Sequence, residues 1–138
     1  MWLHDDELVL NEYLNHHIDD MVEEIKEYYD TMSISKIDGY NGLTRAIGVQ
    51  ELKDYFSGHR GLSTCIDEMK VNTQALTRAQ TRKIYRIAGV WGWPVHALDA
   101  TKTMCARLNG SSQIVEDMIW KDYVSLPAIT TINDFLHI

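Results

Sequence analysis

Apolar residues recur at three- and four-residue steps from Leu10 through Tyr13, Leu14, Ile18, Met21, Val22, Ile25, Tyr28 and Tyr29. That spacing predicts an amphipathic helix of about six turns. A short apolar start, Met1-Trp2-Leu3-His4, precedes it, and Asp5-Asp6 reads as its N-cap, with acids in the first turn. Ser33 to Gly42 collects Ser, Asp, Asn and two Gly and is expected to be a loop. A second helix is predicted from about Gly42 to Phe56, with Leu43, Ile47, Leu52, Tyr55 and Phe56 on its apolar side, broken by Ser57-Gly58-His59-Arg60-Gly61. Ser63 or Thr64 then caps a long third helix ending near Gly89, whose apolar side is Ile66, Met69, Thr73, Leu76, Ile84 and Ile87. Trp91-Gly92-Trp93-Pro94 is a turn, and Val95 to Ala100 alternates like a short strand. Ser111 or Ser112 caps a fourth helix to about Tyr123, Pro127 interrupts, and Ile129 to Leu136 closes as a short helix or an extended tail. The expected architecture is mainly α, with one or two strands too short to make an independent sheet.

Length and composition add bounds. The 138 residues fit one domain with a modest core. No stretch approaches the ~20 consecutive apolar residues of a membrane-spanning helix, and no basic, Ser-rich or apolar leader precedes the first helical pattern. Cys65 and Cys105 lack metal-ligand spacing and read as free thiols of a reducing compartment.

Charge is distributed unevenly. The net charge is −7. Asp5, Asp6, Glu7, Glu12, Asp19, Asp20, Glu23, Glu24, Glu27 and Asp30 face only Lys26 in the first thirty residues, so that segment carries −9 and the remainder +2. Between residues 70 and 86 stand Lys70, Arg78, Arg82, Lys83 and Arg86 without a single acid. A basic stripe within an acidic chain points to a local anionic ligand rather than to general nucleic-acid attraction.

Other chemistry is thin. His16-His17 with Asp19-Asp20 places two ligand types on a solvated acidic face, which makes no metal site. No Ser/His/Asp or Cys/His arrangement stands out. The GxxxxGK[ST] phosphate loop does not occur, since Gly58-His59-Arg60-Gly61 lacks both its spacing and its lysine. No general base is nominated. An arginine at a helix start, Arg45 in Thr44-Arg45-Ala46-Ile47-Gly48, can present its fork to a diphosphate beside the partial positive charge of the helix N-terminus.

Two segments carry a resemblance. Leu43-Thr44-Arg45-Ala46-Ile47-Gly48-Val49-Gln50-Glu51-Leu52 and the run Lys70, Asn72, Thr73, Leu76, Gln80, Lys83, Ile84 resemble the C-terminal part of the plant adenylate isopentenyltransferases, in the IPP transferase family. Gly92 to Thr101 is similar to a late strand of that family, and Trp120 with Phe135-Leu136 to its closing helix. The likeness runs from about Trp2 to Leu136. Two positions depart from it: the arginine before the glutamine is Ala79 here, with Arg78 displaced by one residue, about 100° around a helix, and a basic residue usually near Ala75 is missing. In the first helix Met21-Val22-Glu23-Glu24 runs on without the family's short Gly-containing insertion.

The resemblance implies a fold and a chemistry. The chain would be the C-terminal helical portion of a P-loop-type α/β prenyl transferase, residues 1–138 forming a single segment whose phosphate-loop part and catalytic carboxylate lie upstream of anything present. The intact enzyme would move a dimethylallyl group from its diphosphate to the exocyclic amine of ATP, ADP or AMP, with Mg2+, in cytokinin biosynthesis. Arg45 would hold the prenyl diphosphate; Lys70, Asn72, Arg78, Gln80 and Lys83 would serve the nucleotide phosphates. The expected partners are dimethylallyl diphosphate and an adenine nucleotide, with no membrane or nucleic acid, and self-association is open. A plastid or cytoplasmic location is expected, without a targeting peptide in this chain. By itself the segment should be inactive and bind no cofactor. The alternatives are a tRNA dimethylallyltransferase fragment and a non-catalytic helical interaction module.

Overall fold

The computed structural model describes residues 1–31 and 46–137. In chain order these form β1 (Trp2–His4), α1 (Glu7–Thr31), α2 (Val49–Phe56), α3 (Leu62–Gly89), β2 (Ala97–Asp99), α4 (Thr101–Leu108), α5 (Gln113–Trp120), a π-helical turn (Lys121–Ser125) and α6 (Leu126–Leu136). The fold is mainly helical, as the sequence pattern implies, and its two short strands pair in one parallel sheet. The chain divides into two compact units, Leu14–Thr81 on one hand and Met1–Tyr13 with Arg82–Ile138 on the other.

The Leu14–Thr81 unit is organised around one apolar cluster. Ile18, Val22, Ile25 and Tyr29 of α1 meet Val49 and Leu52 of α2 and Cys65 and Met69 of α3, with Met21, Tyr55, Phe56, Leu62 and Ile66 packed around them. The α1 members follow the three- and four-residue steps that put side chains on one helical face. Tyr29 stacks on Phe56 with ring centroids 4.4 Å apart, and its hydroxyl donates to the Val49 carbonyl at 2.7 Å. The buried phenol is thereby satisfied, and α1 is pinned to the first turn of α2.

Two helix starts differ from expectation. Where a helix from Gly42 was expected, α2 begins only at Val49, because Gly48 has φ +91° and cannot continue a right-handed helix; residues 42–45 lie outside the described residues. α3 begins one residue ahead of Ser63, with the Cys65 N–H reaching back to the Gly61 carbonyl, so neither Ser63 nor Thr64 is its cap.

In the other unit, β1 and β2 pair in parallel, Trp2 with Ala97, Leu3 with Leu98 and His4 with Asp99. The opening apolar residues are thus a strand. Asp6 caps α1 as its position predicts: its Oδ1 accepts from the Leu8 and Val9 N–H groups at 3.0 and 3.2 Å. The Asp6 N–H in turn donates to Thr101 Oγ1 at 2.8 Å, which ties the start of α1 to the start of α4. The sequence pattern shows no helix at 101–108, because two turns offer too few apolar repeats to register. Asp99 initiates that helix by accepting from the Thr101 N–H at 2.9 Å.

Pro127 does not interrupt the C-terminal helix. The Leu126 N–H donates to the Lys121 carbonyl, five residues back, so the π turn resets the hydrogen-bond register just before the proline. Pro127 then stands at the first positions of α6, where its missing N–H leaves no gap. Side chains hold this unit together at two further points. Arg107 donates to Glu116 at 2.9 Å and to Tyr13 at 3.3 Å, and the Lys102 ammonium donates to the Tyr123 hydroxyl at 2.6 Å while lying 4.0 Å from its ring centroid.

Candidate functional site

The anion-binding candidates fall on α3 and on the chain entering α2. Arg45 lies outside the described residues, three positions ahead of Gly48. Gly48 itself is buried, with Ile25 and Met69 so close that a Cβ would stand 2.5 Å from Ile25 Cδ1 and 2.8 Å from Met69 Cε. The turn after Arg45 is therefore held tight against α1 and α3. Glu51 secures it from within: its Oε2 accepts from the Gly48 N–H at 2.8 Å, the carboxylate half of a capping box, and the Leu52 N–H donates to the Gly48 carbonyl at 3.0 Å as an ordinary helical bond.

Lys70 projects from α3 toward α1, its Nζ 2.8 Å from Asp19 Oδ1. Asn72, two residues on and so about 200° around the helix, turns to α2 and donates from Nδ2 to Glu51 Oε1 at 3.0 Å. Arg78 and Gln80 are exposed one to three turns further along, and Lys83 is exposed beyond them on the same helix. The structure thus joins Asn72 to the α2 start through Glu51 and sends Lys70 to the other side of α3.

Two residues of this constellation escaped the sequence reading. Asp19 had no local signal, because its partner lies fifty-one positions away. Glu51 had none either: with glycine rather than Ser, Thr, Asp or Asn at position 48, the three-residue spacing of a capping box is not marked in the sequence.

The C-terminal ends of β1 and β2 bring Asp5 and Asp99 together, a second place where ligands can approach a parallel sheet. Burial, and then the nearby Asp99 charge, push the Asp5 carboxyl above its ordinary range. Hydrogen bonds from Thr101 hold Asp99 below it. Among the described residues no group of three or more His, Cys, Asp or Glu is arranged to hold a metal ion. No described helix is long and apolar enough to cross a membrane.

Comparison with known proteins bears on the same segments. The IPP transferase family model matches residues 1–84, which include both α2 and most of α3. Adenylate isopentenyltransferase 5, chloroplastic, of Arabidopsis thaliana is 28% identical over 151 residues, covering 99% of this chain and 43% of the relative. Adenylate isopentenyltransferase 3 of the same plant is 30% identical over 125 residues, 84% of this chain and 35% of the relative. tRNA dimethylallyltransferase 2, also from Arabidopsis thaliana, is 35% identical over 75 residues, 54% of this chain and 14% of the relative. The chain spans less than half the length of these relatives. With the family model covering more than half of its residues, the chain belongs to the IPP transferase family.

Proposed function

We propose that this chain supplies the diphosphate- and nucleotide-phosphate-binding part of an adenylate dimethylallyltransferase. In that reaction the adenine exocyclic nitrogen attacks C1 of dimethylallyl diphosphate. A C–N bond forms, the C–O bond to diphosphate breaks with its electron pair leaving on the diphosphate, and the amine gives up a proton. Arg45 holds the departing diphosphate, where a bidentate guanidinium suits both its charge and its geometry. Lys70, Asn72, Arg78, Gln80 and Lys83 hold the acceptor's phosphates. None of the 138 residues is assigned as the proton acceptor, and Mg2+ is expected with the intact enzyme.

The observation that carries this reading is the hydrogen bond from Asn72 to Glu51. It joins the Arg45–Leu52 and Lys70–Ile84 segments, which supply the family likeness and are some twenty residues apart in sequence. Glu51 and Asn72, one residue from each segment, thereby meet within the Leu14–Thr81 unit.

A tRNA adenosine acceptor is the second reading, favoured by the likeness to tRNA dimethylallyltransferase 2. Asn72-Thr73 and Asp99-Ala100-Thr101 favour the free nucleotide. Plastid or cytoplasm remains the proposed location; two of the relatives' names read chloroplastic and mitochondrial. The test joins the part of a relative not covered by the match ahead of Met1 and supplies dimethylallyl diphosphate with ATP, ADP, AMP or an anticodon stem-loop. Prenylated nucleotide by mass spectrometry supports the first reading, prenylated RNA alone supports the second, and no product from either contradicts both.

A further inference from the structure

We propose that the turn after α3 docks peripherally on an anionic lipid surface, its tryptophans seated among the headgroups and the arginines before it facing lipid phosphates. The inference is independent of the anion-site reading above. It starts from five consecutive exposed residues, Val90-Trp91-Gly92-Trp93-Pro94. Val90, Trp91 and Trp93 are 72%, 58% and 62% exposed. Single exposed apolar residues are ordinary, but four of five together on one turn mark a contact surface.

The turn has a fixed shape. The Trp91 N–H donates to the Arg86 carbonyl and the Trp93 N–H to the Ile87 carbonyl, both at 3.2 Å. Gly92 takes φ +66° to bring the chain round. The two indole rings stand 6.2 Å apart, tilted by 59°. On the last turns of α3, Tyr85 meets Trp2 of β1 edge-on at 5.3 Å, which holds the end of the helix to the sheet. Little order is therefore left to be imposed on binding.

Charge complementarity names the partner. Arg82 and Arg86 lie four residues apart on one face of α3, both exposed. Neither is ion-paired among the described residues. No acid occurs between Glu68 and Asp99, so this stretch is cationic although the whole chain carries −7. Indole rings favour the headgroup level of a bilayer, and nearby Arg side chains are drawn to anionic lipid. A nucleic-acid strand fits less well, because Val90 and Pro94 give a base no ring to stack on and the tilted indoles form no flat platform. The contact is peripheral, since no described helix is long and apolar enough to cross a membrane.

The test is flotation of the 138-residue chain with vesicles of phosphatidylcholine, alone or with one part in three of phosphatidylglycerol. The wild type should float with the mixed vesicles at low salt, be released at high salt, and float far less with phosphatidylcholine alone. Trp91→Ser/Trp93→Ser should bind the mixed vesicles more than about tenfold more weakly, with an unchanged melt because both rings are exposed. Arg86→Gln should weaken binding about fivefold. Ile129→Asp/Phe135→Asp, which removes exposed apolar groups of α6, should float as the wild type does. A wild type that stays unbound or floats equally with both vesicles overturns the proposal. So does flotation that is lost in the α6 variant and kept in the tryptophan variant. Binding of a single-stranded RNA oligonucleotide without flotation, lost in the tryptophan variant, would also overturn it and make the turn a nucleic-acid surface.

Discussion

Lys70 Nζ lies 2.8 Å from Asp19 Oδ1, with about a quarter of the lysine side chain and half of the aspartate side chain open to solvent. This pair puts an acid of the strongly negative first helix directly against a proposed phosphate ligand. An exposed pair of this kind is worth less than about 1 kcal/mol of stability, but it competes with any phosphate for the same ammonium. Asp19→Asn should therefore tighten binding of AMP a few-fold at low salt while moving the melting temperature little. Lys70→Ala should weaken it. Isothermal titration of the two variants checks this, and equal affinities for AMP in both would remove Lys70 from the site.

Gly48→Ala tests how tightly the turn before α2 is built. Gly48 sits at φ +91° with the tips of Ile25 and Met69 within 2.8 Å of a built Cβ. Left-handed strain and overpacking together should cost about 2–4 kcal/mol in urea unfolding. A loss below about 1 kcal/mol would mean that Met69 and Ile25 yield and that the turn relaxes.

How far the chain could be read in advance follows from these contacts. The long amphipathic faces of α1 and α3 were legible because many turns repeat one spacing, and the Asp6 cap because its signal is local. The break at Gly48 was hidden, since a single glycine within a helical pattern reads as tolerable until its φ is known. The π turn before Pro127 was hidden for the same reason: it shifts hydrogen bonds without changing residue types. At the candidate site, cationic residue types were visible in the sequence. Their partners Asp19 and Glu51 were set by packing between helices, which no spacing within one segment encodes.

Asp5 and Asp99 should respond to pH in opposite directions. Asp5 has its carboxyl raised above the ordinary value of 3.8, and its Oδ1 is enclosed without a hydrogen-bond partner among the described residues. For a raised acid, stability is fully present below the unfolded value and is lost as pH rises through the folded one. Asp5→Asn should therefore stabilise the protein at pH 7, with the gain vanishing below about pH 4. Asp99 is lowered by its hydrogen bonds from Thr101. Its contribution is present at neutral pH and disappears on acidification, so Asp99→Asn should destabilise at pH 7. Thermal melts of both variants from pH 3 to pH 7 decide the signs.

The C-terminal helices should drive self-association. No residue of α6 is buried, and Ile114, Met118, Ile129 and Phe135 are all more than half exposed. Such a concentration of open apolar side chains favours association in water. Sedimentation velocity should show oligomers that shift to monomer in Ile129→Asp/Phe135→Asp. A wild type that stays monomeric at high concentration would mean that these side chains do not associate.

The central claim is that this segment grips the prenyl diphosphate through Arg45. Its most direct test is the kcat/KM for dimethylallyl diphosphate of the chain joined to the uncovered part of a relative, compared among the unsubstituted fusion, Arg45→Lys and Arg82→Ala. Arg45→Lys keeps the charge and loses the bidentate fork, so kcat/KM should drop roughly 10- to 150-fold, the equivalent of one charge-assisted contact. Arg82→Ala, on the same basic stripe but outside the matched motif positions, should change it far less. An Arg45→Lys fusion as active as the unsubstituted one, beside a crippled Arg82→Ala, would contradict the account and move the diphosphate to α3.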